Sequence, residues 1–309
     1  MTIAFDYIGC DISKAYVDIY DPKTGRRQSI TNTAKALAAF LLAYQETSAF
    51  FVFEATGVYD SPLAKALAQA GLPFHRANPM MARRFAQAMG QRAKTDQLDA
   101  VMLAQLGSTL RPAPTPPPCP QRAHLAQLQR RRDQLVRLRA AEQTRLHDST
   151  ERVITASLKQ VMAGLDRAIV AIDQAIAAAL EASDHIAQSA RMLTSAPGVG
   201  PVTATVLLAA LPELGQVNPK QIAALAGLAP FNHDSGTLRG RRCISGGRAR
   251  VRRALYMAAL GAIKASARFR AVYTRIAEKA PAKKIAIIAV ARKLLVTLNA
   301  MMRDQKAYA

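Results

Sequence analysis

The sequence predicts an α/β domain at the N-terminus, followed by a longer part made of helices. Strand-like and helix-like segments alternate over residues 5–107, whereas residues 121–196 contain no proline and one glycine. Between them, residues 111–120 hold six of the 16 prolines, a density typical of a stiff, extended linker. A chain of 309 residues is long enough for two or three domains.

The chain therefore divides into four predicted segments. They are an α/β domain over residues 1–111, a proline-rich linker over 112–120, a coiled-coil or dimerisation region over 121–190 and an all-α domain over 191–309. In the third segment, apolar residues recur at coiled-coil spacings of three and four. They are Leu158, Val161, Leu165, Ile169, Ile172, Ile176 and Leu180. A single helix of this length would reach on the order of 90 Å, which favours a helical hairpin or a long helix paired with a second subunit.

The order of elements in the first segment predicts its type. Three short strands with a hairpin turn at 21–25 are followed by alternating helices and strands. The predicted elements are strands within 5–31, helix 33–46, strand 49–53, helix 59–70, strand 72–77 and helix 94–107. Three antiparallel strands followed by alternating helix and strand are the order of a ribonuclease-H-type domain.

Four acidic residues are predicted to converge in this domain. Asp11 ends the first strand, Glu54 ends the apolar run 50–53, and Asp96 and Asp99 lie three residues apart on one helix face. An isolated aspartate at a strand end is typically a turn residue, so the prediction depends on the four acids together. Mg²⁺ prefers carboxylate and water oxygens, and two such ions can stabilise the attacking and leaving oxygens of a phosphodiester.

The charge balance predicts a polyanionic partner. The formal net charge is +21, and residues 1–111 hold 12 basic and 9 acidic side chains, residues 112–192 hold 11 and 8, and residues 193–309 hold 19 and 4. The last third alone therefore has a net charge of +15, which favours nucleic acid or an acidic membrane surface as the partner.

Cysteine positions and hydropathy narrow the class further. Cys10, Cys119 and Cys243 are too far apart in sequence to indicate a disulfide framework or a zinc site, and they are typical of a reducing cytoplasm. The first six residues lack the features of a signal peptide. The longest stretch without charge, residues 192–212, contains three prolines, which argues against a membrane-spanning helix. We expect a cytoplasmic protein with no membrane partner.

Two segments of the C-terminal third are candidate nucleic-acid contacts. The turn with Gly198 and Gly200 precedes an apolar helix at 202–211, so it is either a grip on phosphate, as in a helix-hairpin-helix, or an ordinary turn between helices. An arginine-rich loop at 231–249 leads into a helix at 250–266, and its arginines without nearby acids favour phosphate contact. They are Arg239, Arg241, Arg242, Arg248, Arg250, Arg252 and Arg253.

The same loop holds two serines, Ser235 and Ser245. A serine among arginines is usually a hydrogen-bond donor to phosphate, and the residue types alone do not identify a nucleophile because no neighbouring base is evident. His233 beside Asp234 is either an acid/base pair or simple loop polarity.

Five motifs, taken in this order, make the chain resemble a known family. They are Asp11, Glu54-Ala55-Thr56-Gly57-Val58-Tyr59, Lys94-Thr95-Asp96-Gln97-Leu98-Asp99-Ala100, Pro197-Gly198-Val199-Gly200 and residues 227–257. The chain is similar to the DEDD transposases of bacterial insertion-sequence family one-ten, which join a RuvC-like, Holliday-junction-resolvase-like domain to a C-terminal serine transposase domain.

The resemblance implies roles for the candidate residues. It makes the four acids catalytic ligands for Mg²⁺ or Mn²⁺, and it makes Ser235 the nucleophile, because Ser235-Gly236 followed by Arg239-Gly240 matches the family's segment. Ser245 matches a second family serine. The resemblance also implies a noncoding bridge RNA that pairs with target and donor DNA. It further implies an oligomer in which the acidic domain of one subunit meets the serine domain of another subunit.

We therefore interpret the chain as a DNA transposase or recombinase of the bacterial cytoplasm and nucleoid, acting as a homo-oligomer, either dimer or tetramer, on target and donor DNA. One alternative is a metal-dependent Holliday-junction-type endonuclease that cuts by hydrolysis. Another is an actin-like sugar kinase or ATPase suggested by residues 9–14, which lacks a second glycine-rich phosphate loop. A noncatalytic nucleic-acid-binding protein is the third.

Overall fold

The chain forms two compact units, residues 1–118 and 119–309, and the boundary between them in the sequence falls within the proline-rich segment. The structure, a computed structural model, describes residues 5–90, 96–117, 119–231, 240 and 242–308, and of residues 96–98 it describes the backbone alone. Ser235, Arg239 and Arg241 lie outside the described residues.

The N-terminal unit is a five-stranded sheet with helices on both faces. Its elements are β1 (Asp6–Ile12), β2 (Tyr16–Asp21), β3 (Arg26–Thr31), α1 (Ala34–Leu41), a 3₁₀ turn (Leu42–Tyr44), β4 (Ala49–Glu54), α2 (Ser61–Gln69), β5 (Phe74–Ala77), α3 (Pro79–Ala88) and α4 (Asp96–Leu110). The sheet order is β3-β2-β1-β4-β5, with β1 to β3 antiparallel and β4 and β5 parallel to β1. The predicted strands and their alternation with helices are confirmed.

Helix α3 is the element that the sequence analysis missed in this unit. Its start is marked by Asn78, whose side chain accepts a hydrogen bond from the amide of Met80, and by Pro79 in the first turn. Both are standard signals for the beginning of a helix.

The strands of this sheet send their side chains alternately into two cores. Ile8, Cys10 and Phe51 belong to the core that contains residues of α1 and α2, whereas Phe50 and Val52 belong to the core that contains residues of α4. Successive strand residues point to opposite faces, so the near-continuous apolar run of β4 serves both cores. Burial of this apolar surface is the main stabilising contribution, at about 25 cal/mol per Å².

Helix α4 packs close against β1 because a glycine of each element, Gly9 of β1 and Gly107 of α4, lies at the contact. A Cβ atom on Gly9 would lie 1.9 Å from the carbonyl oxygen of Ala100 and 2.6 Å from the amide nitrogen of Ala104. A Cβ atom on Gly107 would likewise lie 2.6 Å from the ring of Tyr7. Any side chain at Gly9 would therefore separate the helix from the strand.

The C-terminal unit is built mainly from helices. Its elements are α5 (Pro120–Asp148), α6 (Arg152–Glu181), α7 (Asp184–Thr194), α8 (Pro201–Ala210), α9 (Pro219–Leu225), β6 (Pro230–Phe231), β7 (Cys243–Ile244), α10 (Ala249–Ala265), α11 (Ala267–Ala277) and α12 (Lys283–Asp304). The expectation of an all-α domain is wrong in one detail, because β6 and β7 pair antiparallel. Their pairing satisfies backbone groups of extended segments on either side of the arginine-rich loop.

Of the two arrangements considered for residues 121–196, the chain adopts a helical hairpin. Helices α5 and α6 are joined by three residues, and ion pairs Arg132–Asp173 and Arg139–Asp166 link them, each with a 2.5 Å contact. Seven residues forward on α5 correspond to seven residues backward on α6, so the helices run antiparallel. Such partly exposed pairs contribute little to stability, because solvent screens their charges.

Helix α12 forms the centre of the core of this unit. Leu294, Leu295 and Leu298 are completely buried there. By length and composition alone this helix could cross a membrane, yet half of its most apolar window is buried inside the unit. Packing within the unit therefore explains its apolar sequence.

We expect Gly9→Ala to destabilise the N-terminal unit by about 3 kcal/mol or more, since the new methyl group overlaps the backbone of α4. Urea unfolding monitored by circular dichroism measures this loss. Gly164→Ala on α6 is the matched control: nothing lies within 4 Å of its added Cβ atom, and a helical alanine gains about 0.5–1 kcal/mol over glycine. Equal stability of Gly9→Ala and the wild type would contradict the close contact.

Candidate functional site

The register of β1 and β4 places two of the predicted acids side by side. Gly9 is opposite Val52 and Cys10 is opposite Phe53, so the next positions along these parallel strands are Asp11 and Glu54. Adjacent strands lie about 4.8 Å apart. Asp11 shares its face with Gly9, and Glu54 shares its face with Val52, which is the face covered by α4.

Helix α4 brings its first turn to the same place. Along β1, Tyr7 meets Gly107, and Gly9 meets Ala104 and Ala100. The helix therefore runs antiparallel to the strand, and its first turn, with Asp96 and Asp99, lies toward Asp11. The strand ends and the helix start together form the acidic edge, which we define as the positions of Asp11, Glu54, Asp96 and Asp99.

The donor chemistry of the acidic edge fits a hard divalent cation, since its ligands are carboxylate oxygens. Asp11, Glu54 and Asp99 are half-buried. Among the described side chains, which do not include that of Asp96, no three His, Cys, Asp or Glu side chains are close enough to share a metal ion. The backbone places the four positions at one edge of the sheet, but the described carboxylates do not form a metal-binding group, so their role as metal ligands stays a prediction.

Cys10 lies between these acids in sequence but takes no part in their chemistry. Its burial, and secondarily the charge of Asp11, raise the pKa of the Cys10 thiol well above its ordinary value. The thiol is therefore protonated at neutral pH and is not a nucleophile.

Three of the predicted phosphate-binding arginines have partners within the protein. The Arg248 guanidinium donates to both carboxylate oxygens of Glu213, at 2.5 and 2.6 Å, and Arg250 donates to Asp133 of α5 at 2.6 and 2.7 Å. Arg252 donates to the carbonyl oxygens of Gly246 and Gly227. These contacts fix the segment that follows the arginine-rich loop.

Arg242 and Arg253 differ from these three arginines. Both are exposed, and no carboxylate among the described residues forms an ion pair with either. They are the described members of the set that are available to an external phosphate.

The turn between α7 and α8 has the connectivity expected of a helix-hairpin-helix. Gly198 adopts a φ of +78°, and a Cβ atom there would lie 2.2 Å from the carbonyl oxygen of Ala258 in α10. Gly200 is exposed and precedes α8 as its N-cap. Gly198 is therefore required for packing, whereas Gly200 lies at the exposed start of the helix.

A second group of exposed cations lies on α11 and around its two ends. The sequence analysis did not single it out, although these residues are part of the excess of positive charge after residue 193. Its members are Lys264, Arg268, Arg275, Lys279, Lys283 and Lys284. Arg270 on the same helix instead donates to the carbonyl oxygens of Ile263 and Lys264, and so caps α10.

Two family models match separate parts of the chain. A model of the DEDD transposases of the IS110 group, described as transposase, matches residues 8–155. A model described as the transposase IS116/IS110/IS902 family matches residues 190–274. The first range includes all four acids, and the second includes the arginine-rich loop.

Curated relatives match over the full length. The chain is 28% identical to the pilin gene-inverting protein of Moraxella bovis over 313 residues, covering 98% of this chain and 97% of that protein. It is 27% identical, with the same coverage, to the pilin gene-inverting protein of Moraxella lacunata. An uncharacterized 43.6 kDa protein of insertion element IS110 from Streptomyces coelicolor is 35% identical over 38% of this chain and 29% of its own length.

The Glu213–Arg248 pair generates a testable pH dependence. Burial disfavours the Glu213 carboxylate, but the hydrogen bonds and charge of Arg248 outweigh burial, so the pKa of Glu213 falls below its ordinary value of 4.5. Because the pKa of Glu213 is lower in the folded state than in the unfolded state, its ionisation stabilises the fold at any pH above the unfolded-state pKa. This contribution disappears as the pH falls through the folded-state pKa.

We therefore expect Glu213→Gln to lower the stability at pH 7 by about 1–2 kcal/mol, because Arg248 loses a half-buried charged partner. The difference in stability between Glu213→Gln and the wild type should shrink as the pH falls below the pKa of the unfolded Glu213 carboxyl group. Thermal unfolding at a series of pH values measures both effects. Asp304→Asn, which removes a fully exposed partner of Arg303, is the control and should change little; a pH-independent gap for Glu213→Gln would contradict the pairing.

Proposed function

The chain belongs to the IS110 family of DEDD transposases, and on this premise we propose a Mg²⁺-dependent transposase that cleaves and exchanges DNA strands through a serine nucleophile. Family membership identifies the chain as a DNA recombinase or transposase. The metal, the nucleophile and the RNA guide are the parts proposed here. The observation that carries the proposal is the register that sets Asp11 beside Glu54 at the first turn of α4.

The sheet order of the N-terminal unit supports a RuvC-like, ribonuclease-H-type catalytic domain. Its three antiparallel strands are followed by two parallel strands, and both acid-bearing strands lie at the centre of the sheet. A site at the ends of central strands has two packed cores beneath it, which hold its side chains rigidly.

Within this domain, Asp11, Glu54, Asp96 and Asp99 would hold Mg²⁺ or Mn²⁺. When bound, such ions polarise the scissile phosphate and stabilise the attacking and leaving oxygens. The chain's contribution is to fix the carboxylates on two strands and one helix turn, so that a phosphate is oriented when it enters the acidic edge.

Ser235 then attacks the scissile phosphorus. One bond forms between Oγ and phosphorus as one phosphorus–oxygen bond of the DNA backbone breaks. The serine proton leaves to solvent, and the departing oxygen takes up a proton to become a free hydroxyl. Because the number of phosphoester bonds is unchanged, religation to another strand needs no external energy source.

Arginines of the C-terminal unit bind the nucleic-acid backbone in this proposal. Arg242 and Arg253 are exposed, and with Arg239 and Arg241 they would neutralise charge on the phosphate. Arg248, Arg250 and Arg252 hold the loop base through their internal partners. The exposed start of α8 at Gly200, fixed by the packing of Gly198, and the exposed cations on and around α11 are further candidate contacts for phosphate.

Target DNA, donor DNA, a guide RNA and further copies of the chain are the proposed partners. The names of the Moraxella relatives describe inversion of a gene, a reaction that recombines two DNA sites and supports strand exchange here. Exposed apolar side chains on the hairpin support contact with a second subunit. They are Val136, Leu138, Val153, Ile154, Val161 and Val170. The reaction takes place in the bacterial cytoplasm, at the nucleoid.

The hydrolytic junction endonuclease is less well supported. It would use the same acids with water as the nucleophile. The matched families are transposases, and one family model spans the loop that contains Ser235, which has no required role in hydrolysis.

A labelled-DNA experiment tests the nucleophile. Protein is incubated with Mg²⁺, labelled DNA from the ends of the element and RNA transcribed from its flank, and the products are separated on a denaturing gel. We expect label attached to the wild-type protein, and a loss of about a thousandfold or more in Ser235→Ala and Asp11→Ala.

Ser245→Ala is the matched comparison, because it retains Ser235 and should still form the labelled adduct. Cleaved DNA without label on the protein would contradict the serine mechanism and support hydrolysis. An adduct that persists in Ser235→Ala but not in Ser245→Ala would assign the nucleophile to the other serine.

Arg253→Ala is expected to weaken binding to DNA and to lower the slope of log K against log salt by about 0.9, the value for one phosphate contact. Fluorescence anisotropy of labelled duplex DNA over a range of KCl concentrations measures this slope. Arg303→Ala is the control, since Arg303 is exposed and paired with Asp304. An unchanged slope in Arg253→Ala would remove Arg253 from the interface.

A further inference from the structure

The loop that follows Glu54 exposes two large apolar side chains. Val58 is 56% exposed and Tyr59 is 42% exposed. Most other aromatic rings of the N-terminal unit pack against one another, with centroids at most 6.3 Å apart, and Tyr20 lies beneath Arg27. Among the described residues Tyr59, like the exposed Tyr16, has no ring partner, so its side chain is open to an external ring.

The loop is nevertheless firmly held. The side-chain amide of Asn32 donates to the carbonyl oxygen of Tyr59 at 2.9 Å and to that of Ser13 at 3.1 Å. Asn32 thus ties the loop after Glu54 to the turn after Asp11. Asp60, only 1% exposed, forms an ion pair with Arg76 of β5. The backbone of Tyr59 is therefore fixed relative to both strands of the acidic edge.

This conformation has an energetic cost. Within the described part of the chain, Oδ1 of Asn32, Oγ1 of Thr56 and Oδ1 of Asp60 are buried without a hydrogen-bond partner. A buried polar atom without a hydrogen-bond partner is destabilising. Such costly groups recur at functional sites, so this loop is a candidate contact for a ligand.

The edge of the sheet at which Tyr59 lies carries other exposed apolar and cationic side chains. Tyr16, the first residue of β2, is 53% exposed, and Met80, in the first turn of α3, is 52% exposed. The exposed cations at this end of the sheet are Lys14, Arg83 and Arg84. Sites that bind single-stranded nucleic acid combine aromatic side chains, on which bases stack, with cations that contact the backbone. A base in an intact duplex is stacked on both faces, so only an unpaired base offers its face to a ring.

We propose that the ring of Tyr59 stacks on an unpaired DNA base next to the scissile phosphate and so positions that phosphate at the acidic edge. This inference rests on the proposed function, since it requires a DNA strand to enter this edge. The hydroxyl group of Tyr59 is not needed for stacking, whereas the aromatic ring is.

Binding to gapped DNA tests the role of Tyr59. The probe is a duplex with a short single-stranded gap that contains 2-aminopurine, and EDTA is present so that no cleavage occurs. We expect Tyr59→Leu and Tyr59→Ala to bind the gapped probe about 5- to 150-fold more weakly, the range for one stacked base. They should also lose the quenching of 2-aminopurine fluorescence, and affinity for intact duplex should not change.

Tyr59→Phe should match the wild type within about twofold. Leu42→Ala is the control for exposed apolar surface, because Leu42 is 65% exposed in the 3₁₀ turn before β4, at the other end of that strand. Two variants of different size guard against a folding defect, and circular dichroism shows which are folded.

The outcomes separate this inference from the proposed function. If the wild type binds and cleaves DNA while Tyr59→Leu and Tyr59→Ala bind the gapped probe equally well, the stacking role is overturned and the recombinase proposal stands. Equal loss of affinity for gapped and intact DNA would also overturn stacking, because it would indicate a general contact. A wild-type protein that binds no DNA, even with RNA from the element's flank present, would overturn both.

Discussion

The contact between the backbone of α4 and Gly9 of β1 is the constraint on which the acidic edge depends. With a Cβ position 1.9 Å from the carbonyl oxygen of Ala100, no residue other than glycine lets the helix lie so near the strand. Asp99 adjoins Ala100 in the chain, and Asp11 lies two residues beyond Gly9. The close approach that excludes a side chain at Gly9 therefore places the first turn of α4 and the end of β1 at the same edge of the sheet.

The distribution of charge has two different physical roles in the C-terminal unit. Arg248 and Arg250 are half-buried and paired with Glu213 and Asp133, so their charges are used within the fold. Arg253 and the cations of α11 are exposed, so their charges act outward. Net charge alone does not separate the two groups, whereas the structure shows that only the second group is exposed without a carboxylate partner among the described residues.

Much of the fold could be predicted from the sequence because strand alternation and helical periodicity are local signals. The position of the break between α5 and α6 was harder to predict, since residues 149–151 contain neither proline nor glycine and only Ser149 and Thr150, types that favour helix ends, mark it. The four acids were identifiable by type and order, but the pairing of Asp11 with Glu54 depends on strand register, which periodicity does not give. The Arg248–Glu213 contact spans 35 residues, so sequence proximity gave no sign of it.

The two parts of the proposed chemistry are supported in different ways. The acids lie on strands and a helix with packed cores on both sides of the sheet, whereas the arginine-rich loop departs from a base whose position depends on a few contacts. Gly227 and Gly247 approach so closely that a Cβ on Gly247 would lie 2.2 Å from the amide nitrogen of Gly227, and Arg252 bonds the carbonyl groups beside them. Gly227 and Gly247 therefore have the same role at the base of the loop as Gly9 has against α4: each allows an approach of two backbones that a side chain would prevent.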